Sequence, residues 1–261
     1  MDLETILGSI VNTSVRIGDL FVPARITTSF LHKFVDPALI YTNLEYPYEF
    51  TKSGSITKVK YRDRYFALIS EHQITKGQYS PDDLIVLNPY NRLLCTSGAY
   101  YYQKTDDPGA VHQDLLIFEF TEPVKSGDLP SHFWYNIDKD KPFYKKPMPA
   151  RLICIGYPSE VNNIDFDTPR YDAKAVAVSG TPVRSSLRQR ISFVPDDAPI
   201  YDPQGMSGGG VFALSVQNFE PHVFFAGLLT NASVERFNFI SATRICAALD
   251  RILSNDASQI E

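Results

Sequence analysis

The sequence predicts an all-β protein made of two antiparallel units of about six strands each, with a helix at the C-terminal end. Segments rich in β-branched and aromatic residues recur along the 261 residues, and turn-forming residues separate them. The 15 tyrosines and 17 phenylalanines suit many short strands better than long helices. Strands do not alternate with helices, so a parallel α/β sheet is not expected.

The first unit covers the N-terminal half of the chain. A short amphipathic helix is predicted over residues 3–11, and strands over 15–21, 24–34, 56–69, 84–87, 93–102 and 110–120. Turn signals separate them, among them Lys52-Ser53-Gly54-Ser55 and Lys76-Gly77. A proline-rich, loop-like stretch, 121–149, then divides the chain and contains its one tryptophan.

The second unit follows this stretch. Strands are predicted over 151–157, 171–178, 190–194, 210–214, 222–230 and 237–240. A helix then begins after Ser241, a candidate N-cap residue. Ile245, Leu249 and Ile252 recur behind it at helical spacing, which predicts one apolar face.

Composition and charge argue against several classes of function. The net charge is −5 and no basic run is present, so nucleic acid is not an expected partner. Cys95, Cys154 and Cys246 lack a metal-ligand spacing, and no metal or cofactor is expected. The N-terminus is acidic, and no segment approaches the ~20 apolar residues of a membrane span. We therefore expect a cytoplasmic protein with reduced thiols and no membrane contact.

The most informative segment is Gly205-Met206-Ser207-Gly208-Gly209-Gly210, which an apolar run follows at once. A nucleophilic hydroxyl needs a tight turn that exposes its oxygen and leaves backbone N–H groups free for the oxyanion of the attacked carbonyl. Glycines on both sides permit such a turn. A glycine-rich turn before a strand is also a common β-turn, so this segment alone does not decide the function.

Two further segments contain the partners that such a serine requires. His72 follows an apolar strand, and Asp114 immediately precedes another apolar run. Histidine is the side chain whose proton affinity suits a general base near neutral pH. The aspartate would accept a hydrogen bond from the second ring nitrogen and stabilise the imidazolium. His112, two residues before Asp114, would lie on the same face of the strand as Asp114 and is therefore the first alternative to His72.

In their order and local sequence, these three segments resemble the trypsin/chymotrypsin family of serine proteases. The Gly-Asp-Ser-Gly-Gly of that family compares with residues 205–209, and its Asp-Ile-Ala-Leu-like run with residues 114–117. The resemblance extends over residues 14–254 and implies two perpendicular six-stranded antiparallel β-barrels. It implies a serine endopeptidase that acts on proteins or peptides.

The resemblance also implies roles for individual residues. His72, Asp114 and Ser207 would form the catalytic triad, with the N–H groups of Gly205 and Ser207 as the oxyanion hole. The implied substrate-binding residues are Tyr201 at the base of the primary pocket and Thr230, Asn231 and Ala232 along its wall. The implied domains are a helical extension (1–13), a first barrel (14–120), a linker (121–149), a second barrel with the nucleophile (150–240) and a C-terminal helix and tail (241–261).

Two departures from the family pattern bear on regulation. Met206 replaces the aspartate that pairs with a freshly cut N-terminus in secreted members, and Gln73 replaces a disulfide cysteine. The chain is therefore most similar to the intracellular, disulfide-free type, in which regulation by a protein partner is expected in place of zymogen cleavage. Tyr201 in place of an acid argues against a strict preference for Arg or Lys.

Two other functions match parts of the sequence. The G-x-S-x-G pattern of α/β-hydrolases also matches residues 205–209, but a strand rather than a helix follows the serine. A catalytically inactive, protease-like module that binds a peptide in its cleft would contain the same residues, because a complete triad does not establish a competent geometry. This second alternative stays open at the level of sequence.

Overall fold

The computed structural model of the protein describes residues 14–46, 48–87, 93–95, 98–101, 114–143, 151–162, 164–165, 170–171, 173–183, 191–217 and 220–257. The helix predicted over residues 3–11 and the candidate residue His112 lie outside these ranges. Across the ranges described, none of the helices combines the length and the apolar character needed to cross a membrane.

The protein is mostly β. In chain order, the strands are β1 (Ser14–Ile17), β2 (Leu20–Pro23), β3 (Val35–Tyr41), β4 (Phe50–Tyr61), β5 (Arg64–Ile69), β6 (Leu84–Leu87), β7 (Leu93–Cys95), β8 (Gly98–Tyr101), β9 (Leu116–Glu119), β10 (Tyr135–Asn136), β11 (Arg151–Gly156), β12 (Ile164–Asp165), β13 (Arg170–Tyr171), β14 (Val176–Val183), β15 (Ile191–Pro195), β16 (Gly210–Gln217), β17 (Glu220–Ala232) and β18 (Phe237–Ser241). The helices are α1 (Thr27–His32), α2 (His72–Thr75), α3 (Thr121–Lys125) and α4 (Ala242–Ala257), and 3-10 turns cover Ala24–Ile26, Pro81–Asp83, Ser131–Phe133, Ile137–Phe143 and Ser159–Val161.

The C-terminal half forms a closed six-stranded antiparallel barrel, which confirms the prediction for this half. Its strand order is β16-β11-β14-β15-β18-β17, and pairing of β16 with β17 closes the ring. Aromatic side chains fill the interior. Phe193 and Phe237 stack with their ring centroids 4.9 Å apart, and Phe239 packs beside them.

The N-terminal half forms a half-barrel. Its strand order is β7-β6-β3-β4-β5-β9-β8, with β10 added in parallel to β4. Among the described strands no pairing joins β7 to β8, so this sheet is open where the prediction had a second closed ring. Helix α4, predicted from its apolar spacing, packs with Ile245 and Leu249 fully buried in the core between the two units.

Residues 14–23 pair with the second sheet, although the sequence assigned them to the first barrel. Strand β1 runs parallel to β17, with Arg16 opposite His222, and β2 pairs with β1. Val15 and Ile17 are only 6% and 5% exposed and belong to the apolar cluster between the two units. Burial of these side chains therefore favours the pairing with β17.

Residues 24–34 form a 3-10 turn and helix α1, so the strand predicted there is wrong. Thr27 and Leu31 are buried at a spacing of four residues, while Ser29 between them is exposed. This is the period of a helix with one buried face. The many apolar residues of this segment also suit a strand, so the helical spacing was not recognised in the sequence.

The predicted turn Lys52-Ser53-Gly54-Ser55 is also wrong, because β4 runs through it. Lys52 pairs with Leu39 and Ser55 with Pro37 of β3, a strand that the sequence did not predict. The loop predicted over 121–149 contains α3 and β10. In each case the backbone pairing overrides a local composition typical of turns.

A buried acid joins the linker to the second barrel. Asp140 lies in the 3-10 turn Ile137–Phe143, is 1% exposed, and accepts a hydrogen bond from the backbone N–H of Phe225 at 2.6 Å. Burial raises the pKa of Asp140 to about 8, and the hydrogen bonds from Phe225 and Tyr135 oppose this effect. The carboxyl therefore stays protonated in the folded protein at neutral pH.

This burial makes the stability of the protein depend on pH. The unfolded chain releases the proton of Asp140 near its ordinary pKa of 3.8, whereas the folded protein keeps it to about pH 8. Folding therefore takes up a proton between these values, and the free energy of unfolding should fall as pH rises across that interval, by at most about 1.4 kcal/mol per pH unit. Asp140→Asn should flatten the profile, measured by urea unfolding at several pH values. The exposed Asp197→Asn is the matched control, and parallel profiles for wild type and Asp140→Asn would contradict the argument.

Candidate active site

Strand pairing brings His72 and Asp114 together. Strands β5 and β9 are antiparallel neighbours, with Ile69 opposite Leu116, so the end of β5 lies beside the start of β9. His72 begins α2 three positions after the last residue of β5, and Asp114 lies two positions before the first residue of β9. Nδ1 of His72 lies 2.6 Å from Oδ2 of Asp114, and the backbone N–H of His72 donates to Oδ1 at 2.9 Å. The carboxylate thus fixes both the ring and the backbone of the histidine.

Ser207 lies on a tight turn that leads into β16. The N–H of Met206 donates to the carbonyl of Pro203 at 3.0 Å, and the N–H of Gly209 donates to the carbonyl of Met206 at 2.9 Å. The N–H of Gly208 donates to Leu229 on β17 at 2.8 Å. These bonds fix the turn relative to the second barrel.

Side chains of the first sheet hold the same turn from the other side. The N–H of Ser55 donates to the carbonyl of Ser207 at 2.8 Å, and its hydroxyl donates to the carbonyl of Gly205 at 3.0 Å. The hydroxyl of Thr57 donates to the carbonyl of Gly208 at 2.8 Å. The amide of Gln73 also donates to the carbonyl of Ser207. The turn that holds Ser207 is therefore fixed by both halves of the chain.

Two glycines permit this close approach. A Cβ on Gly54 would lie 2.0 Å from Nε2 of Gln73, and a Cβ on Gly208, whose φ is +81°, would lie 1.9 Å from the carbonyl oxygen of Ser55. Heavy atoms at either separation overlap. At Gly54 the amide of Gln73 would have to move aside, whereas at Gly208 the clash is with the backbone of β4, so a side chain there would push the turn away from that strand.

A cleft of about 680 Å³ between the two units contains most of the predicted site. The three triad residues line it, as do Gly205, Thr230, Asn231 and Ala232. His72 and Asp114 reach it from the first sheet, whereas Ser207 and residues 230–232 reach it from the second barrel. Residues predicted from separate parts of the sequence thus share one cavity.

The hydroxyl of Ser207 has a partner other than His72. It donates to the backbone carbonyl of Thr230 at 3.2 Å. Within the residues that the structure describes, no hydrogen bond joins Ser207 to His72. The hydroxyl must therefore release the carbonyl of Thr230 before the imidazole can accept its proton.

The N–H groups of Gly205 and Ser207 have no acceptor in the described part of the chain. Gly205 has a φ of +90°, a conformation that glycine adopts without strain. Two such N–H groups beside a hydroxyl can bind the oxygen of a carbonyl that the hydroxyl attacks.

Met206 anchors the turn by apolar burial. It is 1% exposed and packs in the core of the second barrel with Cys154 and Val211. A buried thioether needs no charged partner, so the turn keeps its shape without an ion pair to a chain terminus.

Lys52 is a site residue that the sequence analysis missed. Its ammonium lines the cleft and donates to the carbonyl of Tyr157 at 2.6 Å, and burial lowers its pKa to about 8. A methyl group on Gly205 would lie 2.9 Å from this nitrogen. The ammonium of Lys52 therefore lies close to the turn that holds Ser207. Ser53, Gln73 and Ser159 also line the cleft. The turn-like composition of residues 52–55 hid this role, and the local sequence offers no signal for it.

Tyr201 does not lie among the residues that line the cleft. Its hydroxyl lies 2.9 Å from the ammonium of Lys174, which also approaches its ring at 5.0 Å. This position does not favour the predicted role at the base of the substrate pocket.

Comparison with known proteins adds no relative. No model of a known protein family matches the chain, and a search of curated proteins found no significant match.

The contacts of Ser55 predict a cost for its removal. Ser55 is fully buried, its hydroxyl donates to Gly205, and it accepts the N–H of Tyr157 at 2.9 Å. Ser55→Ala leaves a buried donor and a buried acceptor unpaired, which should lower the free energy of unfolding by about 1–3 kcal/mol. Ser126→Ala, which removes an exposed hydroxyl bonded to Pro123 at 3.1 Å, should change it by much less. Equal losses in the two variants, measured by urea unfolding, would refute the proposed importance of the Ser55 contacts.

Proposed function

We propose that the protein is a serine endopeptidase in which Ser207 is the nucleophile. The observation that carries the proposal is the hydrogen bond between Nδ1 of His72 and Asp114 in the same cleft as Ser207. A carboxylate that holds Nδ1 of a histidine leaves Nε2 as the proton acceptor, as a general base requires. The free N–H groups beside Ser207 support the same reaction class.

The reaction would proceed by acyl transfer. Oγ of Ser207 attacks the peptide carbonyl carbon while its proton passes to His72, and the oxyanion binds the N–H groups of Gly205 and Ser207. The C–N bond then breaks as His72 returns the proton to the leaving amine. Water attacks the acyl ester, loses a proton to His72, and releases the carboxylic acid with Ser207 restored. No metal or organic cofactor takes part in this scheme.

Substrate binding would also have to free the hydroxyl of Ser207. That hydroxyl donates to the carbonyl of Thr230, which lies at the cleft on β17. An extended peptide beside residues 230–232 would offer a backbone N–H to the same carbonyl. The two donors compete, so bound peptide favours the rotation of Ser207 toward His72.

A partner and a compartment complete the proposal. Met206 lies buried without a charged partner in place of the family's aspartate, so activation by a new N-terminus is replaced by regulation through a protein partner.

Cytoplasmic location is supported by the small number of cysteines, of which Cys154 is fully buried in an apolar cluster.

The alternative function is that of an inactive peptide-binding module. The orientation of the Ser207 hydroxyl toward Thr230 favours it, since the apo cleft lacks the hydrogen bond from nucleophile to base. Such a module would bind a peptide with an affinity that Ser207→Ala leaves unchanged, and it would not cut that peptide.

Labelling with a fluorophosphonate probe separates the two functions. The purified protein should form an adduct on Ser207, located by mass spectrometry, because an activated serine attacks the phosphorus. Ser207→Ala and His72→Ala should abolish labelling, and peptide hydrolysis by Ser207→Ala should fall by several orders of magnitude.

Ser53→Ala and Ser159→Ala are matched controls, since both remove a serine hydroxyl from the same cleft. Both variants should label at the wild-type rate. An adduct on Ser53 or Ser159, or the absence of any adduct on Ser207 in purified protein and in lysate, would contradict the proposed function.

A further inference from the structure

A second cavity of about 400 Å³ lies away from the triad, where the first sheet meets the linker and the second barrel. Val86 of β6 lines it, as do Leu129 and Trp134 of the linker and Tyr157 beyond β11. Its volume lies within the range of small-molecule sites, which occur preferentially at junctions of this kind.

One side of this cavity is apolar and aromatic. Val86, Leu129 and Trp134 are 3–5% exposed, and Phe133 packs beside them at the wall. Aromatic walls favour a flat aromatic ligand, because rings gain from offset or edge-to-face contact beyond the burial of their area.

The lining also contains a buried cation next to this aromatic wall. The side chain of Lys58 is 7% exposed, its ammonium lies 2.5 Å from Oδ2 of Asp36, and it approaches the ring of Phe133 at 5.2 Å. An ammonium has three N–H donors, and Asp36 is its one carboxylate partner within the described residues. Donors therefore remain for a further acceptor inside the cavity.

The charge of the lining is positive overall. Lys33 adds a second cation at the wall, against the single carboxylate of Asp36. His32, also at the wall, is neutral at physiological pH because burial lowers its pKa. A ligand with one negative charge would balance this lining, whereas a cation would meet two like charges.

We propose that this cavity is a binding site for a small aromatic monocarboxylic acid, with the ring against Trp134 and Phe133 and the carboxylate on Lys58. The site is separate from the triad cleft, and the inference does not depend on peptidase activity. Its ligand is defined by three features: one ring system, one negative charge, and a size that fits the cavity.

Trp134 makes the site directly measurable. It is the only tryptophan of the chain and lines the cavity, so its fluorescence reports occupancy without a label. The probe is 3-phenylpropanoate, which does not absorb where tryptophan is selectively excited. Matched controls are 3-phenylpropanol, which lacks the charge, and 3-phenylpropylamine, which reverses it.

The acid should cause a saturable change in Trp134 emission, with an affinity at least about tenfold higher than that of the alcohol. The amine should bind more weakly than the alcohol because of Lys33 and Lys58. Equal affinities for the three compounds, or no change in emission with the acid, would overturn the proposal.

Variants test the role of the ion pair. The double variant Lys58→Met/Asp36→Asn removes both charges without leaving one buried alone. It should weaken binding of the acid several-fold more than binding of the alcohol, because Lys58 is lost as the carboxylate's partner while Lys33 still provides a positive charge at the wall. Lys125→Met, which removes an exposed lysine paired with Glu122, should keep the preference. Should the double variant not fold, judged by circular dichroism, the three-ligand comparison on wild type decides. A folded double variant that keeps the wild-type preference would refute the assignment of Lys58.

Discussion

The candidate active site depends on one set of contacts, the hydrogen bonds from β4 to the turn that holds Ser207. Ser55 and Thr57 are both fully buried, and together they bind the carbonyl oxygens of Gly205, Ser207 and Gly208. Each of these bonds fixes the peptide plane that contains the bonded carbonyl. The planes that contain the N–H groups of Gly205 and Ser207 are held by two other bonds, from the N–H of Ser159 to the carbonyl of Gln204 and from the N–H of Gly209 to the carbonyl of Met206. Loss of the contacts from β4 would therefore displace the turn that holds Ser207.

The remaining site geometry follows from sheet topology. Antiparallel pairing of β5 with β9 brings His72 to Asp114, and the antiparallel barrel brings β17 beside the nucleophile turn. Apolar burial of Met206 supplies the support that a charged pair would otherwise give. Each reactive group is thus held by rigid secondary structure, which limits its displacement during the proposed reaction.

Strand patterns and apolar spacing predicted the β class and helix α4, because both are local signals in the sequence. The closed barrel and the meeting of His72, Asp114 and Ser207 were expected from the resemblance to a known family and not from local pattern alone. Sequence reasoning failed where tertiary pairing decides. Residues 52–55 have the composition of a turn but extend β4, and residues 24–34 have apolar content that suits either a strand or a helix. Lys52 was missed for the same reason, because its place at the cleft follows from the extension of β4.

The contact between Thr57 and Gly208 spans 151 residues, and this has a consequence for biosynthesis. During translation the first sheet leaves the ribosome long before the serine turn is made, and domains fold in that order. The turn forms its hydrogen bonds only after the later strands have been synthesised. The contacts between the two halves of the chain therefore form late in folding. A nascent or prematurely terminated chain would contain His72 and Asp114 but lack the ordered turn that holds Ser207. The cleft that these three residues line is therefore complete only after both halves have been synthesised.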